Sequence, residues 1–166
     1  MTKNQETILD YPLGIFRFHV DFTLVRENAS GDKSRQLCGG AFSECTGLDA
    51  TMEPKTIKVG GRNYGEIQRA GRVNFATVIL KRGVSKNRDL WNWFYLVANG
   101  AYAYRLDAEI KQMDFNAGQQ DKAVMIWKMK NALPTKFKTA DYNSTFTQIA
   151  IEELHFVHEG LTHKLL

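Results

Sequence analysis

A chain of 166 residues suits one domain, and with 43% hydrophobic and 24% charged residues it can bury a real core. Its net charge of +4 permits contact with nucleic acid without demanding it, and no long run of like charges marks a charged tail. No basic start leads into an apolar run and no apolar stretch approaches the roughly 18 residues of a membrane span, so neither a signal peptide nor membrane insertion is expected.

Residues 1–13 are polar and read as an N-terminal arm, and residues 14–166 read as a single domain. The first strand is the clearest. Phe16, Phe18, Val20, Phe22 and Leu24 alternate with Arg17, His19, Asp21 and Thr23, the period-two pattern of a half-buried antiparallel strand. Asn28–Arg35 reads as a turn or loop tip. Gln36–Cys45 is a second strand with a glycine break. Cys38 and Cys45 fall on opposite faces of a continuous strand, so a disulfide requires a turn at Gly39-Gly40; two free thiols is the reading taken. Thr46–Asp49 turns the chain. Thr51–Val59 is extended but interrupted by Pro54, which marks an edge or a protruding arm, placed at about residues 46–65. Gly60–Gly65 forms its tip, and no Gly-Lys-Ser/Thr follows to make it a phosphate loop.

Gly71–Arg82 reads as one strand, with Val78 and Leu80 making its far end apolar on both faces. A cover is then needed, and Ser85–Gly100 supplies it as the one convincing helix. Ser85 or Asn87 is the expected cap, Asp89 complements the positive end of the dipole, and Asn99-Gly100 is a stop. Leu90, Trp91, Trp93, Phe94, Tyr95, Leu96 and Val97 leave only a narrow polar stripe. Such a helix is either enclosed by its own domain or packed between its own sheet and a second subunit; the second reading suits so short a chain.

After the helix, Tyr102, Tyr104, Leu106, Ala108 and Ile110 alternate with charged residues. Asn116–Asp121 is a hairpin loop, Ala123–Lys130 is the return strand, and Pro134 closes it. In the last strand, Thr147–His158, the apolar phase slips at Glu152-Glu153. A β-bulge there restores both apolar pairs to the core, and it is preferred to an inward carboxylate, which costs several kcal/mol unless paired. Antiparallel neighbours with short loops close most easily into a barrel or a two-sheet sandwich.

Chemistry is sparse. His155, His158 and His163 crowd the C-terminal stretch, but His155 and His158 face opposite ways on a strand and no cysteine pair or HExxH accompanies them. There is no Gly-x-Ser-x-Gly elbow. No catalytic residue, metal ligand or cofactor is expected, and a structural role is read rather than an enzyme.

Several stretches in order resemble the inner-tube proteins of contractile phage tails and injection systems: Phe16-Arg17-Phe18, Phe42–Leu48, Gly60–Asn63 with Gly71-Arg72-Val73, Val78–Gly83 with Leu90–Trp93, Trp127 with Asn131–Pro134, and His158–Leu161. The resemblance runs from about Gly14 to Leu161. It implies a mainly β fold, a β-barrel of two packed antiparallel sheets with one flanking α-helix. It implies a self-partnered hexameric ring stacked into a tube, assembled in the cytoplasm of the producing cell and carried in a released or membrane-anchored particle. The implied partners are a contractile sheath protein, baseplate, spike and cap proteins, and effector cargo in the channel, or DNA in a phage tail. The implied subunit interface is Gly47, Leu48, Thr56, Ile57, Val59, Gly60, Gly61, Asn63 and Tyr64; Leu90, Trp91, Trp93, Phe94 and Val97 pack the helix. A monomeric ligand-binding β-barrel is the alternative of another class.

Overall fold

The computed structural model describes residues 14, 17–25, 38–40, 42–113, 122–145 and 147–166, with the backbone alone for 38–40. The N-terminal arm, the Asn28–Arg35 loop and the Asn116–Asp121 loop lie outside these residues.

Alternation builds the body. Strand β1 (Phe18–Leu24) buries Val20 and Phe22. Short strands follow it: β2 (Cys38–Gly40), β3 (Glu44–Thr46), β4 (Ala50–Met52), β5 (Lys55–Ile57), β6 (Ile67–Arg69), β7 (Val73–Phe75) and β8 (Val78–Gly83). The helix α1 (Asp89–Ala98) precedes β9 (Leu106–Met113), β10 (Ala123–Lys138), β11 (Ile151–Val157) and β12 (Gly160–Leu165). The main sheet runs β2-β1-β9-β10-β11-β8-β3, with β12 also on β10.

All these ladders are antiparallel. The long β10 belongs to two sheet halves. Its first part pairs with β9 and β12, and its last part, Leu133–Lys138, pairs with β11. The change of direction has local causes. Asn131 takes a left-handed backbone (φ 53°), which asparagine tolerates better than most residues. The ladder to β11 then skips a residue between Pro134 and Lys136. Proline has no N–H to give a ladder, and a bulge is one of the few places a sheet accepts it. Pro134 therefore bends the strand, where the sequence suggested an end. The two halves form the expected mainly β body of packed antiparallel sheets. Among the described residues no ladder joins β2 to β3, so the barrel is open at that seam.

Helix α1 closes the body. Leu90, Trp93 and Val97 sit on one side of it and are buried. Trp93 meets Phe22 at 5.1 Å and Phe156 at 6.4 Å, and Phe22 meets Phe156 at 5.7 Å. Each such burial contributes about 1.5–3 kcal/mol. The helix starts later than its sequence suggested. Arg88 is the N-cap residue and offers no capping side chain. Asn87 accepts from the Asp89 N–H through Oδ1 (3.2 Å), and Ser85 Oγ serves only the Asn87 N–H (3.3 Å). The stop is as expected: Asn99 Nδ2 donates to the Tyr95 carbonyl (2.8 Å), and Gly100 takes φ 109°.

Three further expectations change. Gly71–Arg82 is not one strand; β7 and β8 are separate and belong to different sheets. The strand expected from Tyr102 begins only at Leu106. The chain also adds β12 after His158.

Candidate assembly surfaces

The arm is a hairpin. β4 pairs with β7 and β5 with β6, so residues 50–75 fold back on themselves rather than ending at the tip as the sequence suggested. Pro54 interrupts one side. Gly71 lies opposite, where an added Cβ would stand 1.8 Å from the Glu53 carbonyl oxygen. Only glycine allows the two strands to pass so closely there.

The interface residues implied by the resemblance divide into two sets. Gly47 and Leu48 lie at the root. Gly47 has φ 87°, and a Cβ on it would meet the Thr77 carbonyl oxygen at 2.1 Å; Leu48 is half-buried against the core. Both have a role inside the chain. Thr56, Ile57, Val59, Gly60, Gly61, Asn63 and Tyr64 are all exposed on the hairpin, and Tyr64 is 92% exposed. Met52, Ile67 and Val73 add further uncovered apolar area. A hairpin that leaves these apolar side chains uncovered is the kind of surface that a partner covers.

The helix presents a second uncovered area. Trp91 is 43% exposed and Tyr95 56%, with Leu96 also exposed and Phe94 half-buried. Trp91 lies edge-on to Phe137 of β10 at 5.3 Å. Of the helix-packing residues, Leu90, Trp93 and Val97 thus face the core, while Trp91 lies on the outer side.

The expected bulge at Glu152-Glu153 is absent, because β11 pairs with β8 in unbroken register from Ile151 to Phe156. Glu152 points inward and is paired. Its carboxylate accepts from Arg82 Nε at 2.5 Å, and Arg82 Nη2 donates to Asp89 Oδ1 at 2.7 Å and to the Asn87 carbonyl at 3.2 Å. Burial opposes the Arg82 charge, but its bonds to Asp89 and Glu152 outweigh burial and hold its pKa above the ordinary arginine value. The cluster ties the helix start to β8 and β11. The alternating phase of β8 could have pointed to it, since Val78, Leu80 and Arg82 share one face.

The motifs near the C-terminal stretch meet in space. Asn131 Nδ2 donates to Glu159 Oε2 (2.7 Å), the Asn131 N–H donates to Asp107 Oδ1 (2.9 Å), and the Glu159 N–H donates to the Lys130 carbonyl (2.9 Å). They clamp the bend of β10. The histidines are dispersed. His155 lies 3.5 Å from Glu153, His163 stacks on Trp127 at 5.1 Å, and His158 is buried against Phe75 at 5.0 Å. Neither ring nitrogen of His158 makes a well-formed hydrogen bond. Burial pushes its pKa below the ordinary histidine value, partly offset by the Gly160 backbone. Among the described residues no three His, Cys, Asp or Glu side chains are grouped to hold a metal ion. Cys45 is a free thiol, pushed up to about 12 by burial and then by the Glu44 charge, so it is not a reactive thiolate.

This geometry defines a class of protein: a self-contained β body that displays an exposed hairpin and an exposed aromatic helix face. Residues 15–162 match the family described as T4-like virus tail tube protein gp19. The chain belongs to that tail tube family. No curated protein sequence matches it. Among solved structures, it is similar to a chain of the anti-feeding prophage baseplate, with TM-score 0.76 and 22% identity over 94% of this chain and 97% of that one. It is similar to a chain of the sheath–tube complex of the PVC extracellular contractile injection system, with TM-score 0.74 and 20% identity over the whole of both. An Hcp protein follows, with TM-score 0.55 and 10% identity over 90% of this chain and 99% of that one. These likenesses establish the fold.

Proposed function

We propose that this chain is the inner-tube subunit of a contractile injection system. Six copies form a ring, rings stack into a tube, a contracting sheath drives the tube through a target envelope, and effector cargo travels in the channel. Baseplate, spike and cap proteins begin and end the tube. Assembly takes place in the cytoplasm of the producing cell, and the chain performs no catalysis. The observation that carries this reading is the exposed hairpin of residues 50–75, whose strands, among the described residues, pair only with one another. The edges support it as well: among the described residues β2 and β12 bound one sheet half, and a sheet edge can continue into a neighbour. The outer face of β1, β9 and β10 suits a water-filled channel. There Lys111 Nζ donates to Asp21 at 2.7 Å and Lys128 Nζ to Glu109 at 2.5 Å, so its charges are largely matched across strands.

The interior argues against a monomeric ligand-binding barrel, because the Phe22, Trp93 and Phe156 rings fill the space between the sheets and the helix. No described helix is long and apolar enough to cross a membrane. A phage tail that passes DNA is the second reading, favoured by the T4-like family to which the chain belongs. The test is negative-stain electron microscopy of the concentrated chain, alone and co-expressed with its sheath and baseplate partners. Hollow tubes are expected. Small uniform particles under both conditions overturn the reading, and nuclease-protected DNA inside tubes moves it to the phage tail.

A further inference from the structure

The root of the arm meets the last turn of the body at a pair of rings. Gly47–Asp49 lead into β4 and Ala76-Thr77 follow β7, and the Ala76 N–H donates to the Asp49 carbonyl at 3.1 Å. Within this root Phe75 stands opposite Ala50 and is half-buried. Its ring lies 5.0 Å from that of His158, tilted by 38°. Strand pairing explains the meeting. Phe156 pairs with Val78, so β11, antiparallel to β8, carries His158 past the start of β8 towards the residues where the arm rejoins the body.

The His158 ring is poorly provided for. It is buried, and among the described residues neither of its nitrogens has a well-formed hydrogen bond. A buried imidazole ordinarily partners both nitrogens, and the charged ring carries two N–H donors that each need an acceptor. Burial weighs against the charged form, and the Gly160 backbone offsets this only in part. The charged residues of the surrounding elements do not compensate. The Glu159 carboxylate turns to Asn131, Asp49 and Lys130 contribute only backbone carbonyls there, to Ala76 and Glu159, and β7 carries no charge. The face of Phe75 attracts a cation but gives the two N–H groups no ordinary acceptor. Water is the better environment for a charged ring, and it is one residue away, where Glu159 is exposed.

We propose that His158 is an acid-operated latch between the body and the root of the arm: the neutral ring packs Phe75 against the β11–β12 turn, and the protonated ring moves into water and frees Phe75, so that the β4–β7 pair opens while the main sheet stays paired. The direction follows from burial. The folded chain protonates this ring less readily than the unfolded chain does, so the latch is closed above the folded pKa and opens as the pH falls through it. The device belongs to the single subunit and does not rest on the tube reading.

Amide hydrogen exchange of the full chain, followed by mass spectrometry below any concentration at which it assembles, tests this. Rates are compared between about pH 7.5 and about pH 4.5, on either side of the ordinary histidine range, after correction for the intrinsic pH dependence of exchange. We expect peptides covering β4 and β7 to lose protection about tenfold or more at the lower pH, while β9 and β10 hold theirs. His158→Phe keeps a ring against Phe75 and removes the titration, so its root stays protected at both pH values. If that variant does not fold, His158→Gln, which is polar and uncharged, takes its place with the same expectation. Equal protection of the parental root at both pH values overturns the proposal. So does an acid loss that the variant shares, which assigns the opening to other groups, and so does loss from the root and main sheet together, which is global unfolding. Because the chain is unassembled throughout, none of these outcomes touches the tube reading, and a failure to form tubes leaves the latch standing.

Discussion

The body and the arm solve opposite problems with the same kind of strand. In the body, the apolar face of the strands is covered by the other sheet half and by one side of the helix, and even its inward charges, Arg82, Asp89 and Glu152, are bonded to one another. In the arm, apolar groups and like charges are displayed without cover. A conformation that is costly in isolation persists when something else in the final structure removes the cost. The difference teaches where to look for partners: at the places where a chain leaves its own interactions incomplete.

The comparison can be broken most completely at the arm. Replacing Ile57 and Val59 together by Asp abolishes tubes yet leaves the melting temperature within a few degrees of the parent, since neither side chain supports the body. A large fall in melting temperature would mean that the arm is part of the core. In the body, Arg82→Ala strands two carboxylates, Glu152 buried and Asp89 nearly so, and costs about 3–5 kcal/mol in chemical denaturation. Trp91 lies between the two regimes. Because its ring is 43% exposed and shares its contacts with Phe137, Phe94 and Tyr95, Trp91→Ala costs only about 1 kcal/mol, well short of a buried tryptophan. A loss near that of a core residue would place the outer helix face inside the body.

The smallest effect expected is a pH dependence from His158. Its folded pKa lies below the ordinary value of about 6.5, so the unfolded chain takes up the proton more readily. The stability contributed by the neutral ring is present above that value and is lost as pH falls through it. His158→Phe flattens this acid limb; an unchanged limb would assign it to other groups.

Much of the fold was legible in the sequence because its signals are local. The period of two from Phe18 to Leu24, the Asn99-Gly100 stop and the break at Pro54 each depend on neighbouring residues. What sequence reading missed depends on distant ones. Glu152 reads as a phase error until Arg82, 70 residues earlier, is known to lie beside it. Pro134 reads as a strand end because the bulge that tolerates it is set by the register of β11. The arm's return strand was hidden because Ile67–Arg69 is short and pairs only with β5. The exposure of Trp91 could not be read from a helix apolar on most sides, since the sheet that covers one side is specified elsewhere.

The bent ribbon made by β10 with β11 and β12 also sets an order of events. β11 lies between β10 and β8, and among the described residues β8 pairs only with β11 and the three-residue β3. That half of the sheet stays open until residues beyond 150 have left the ribosome. Contacts so far apart along the chain are slow to form. The body is therefore completed after nearly all of these residues have been synthesised, while the hairpin of residues 50–75, whose pairings are local, can fold much earlier. A nascent chain would then expose the residues of the arm before it has a finished body.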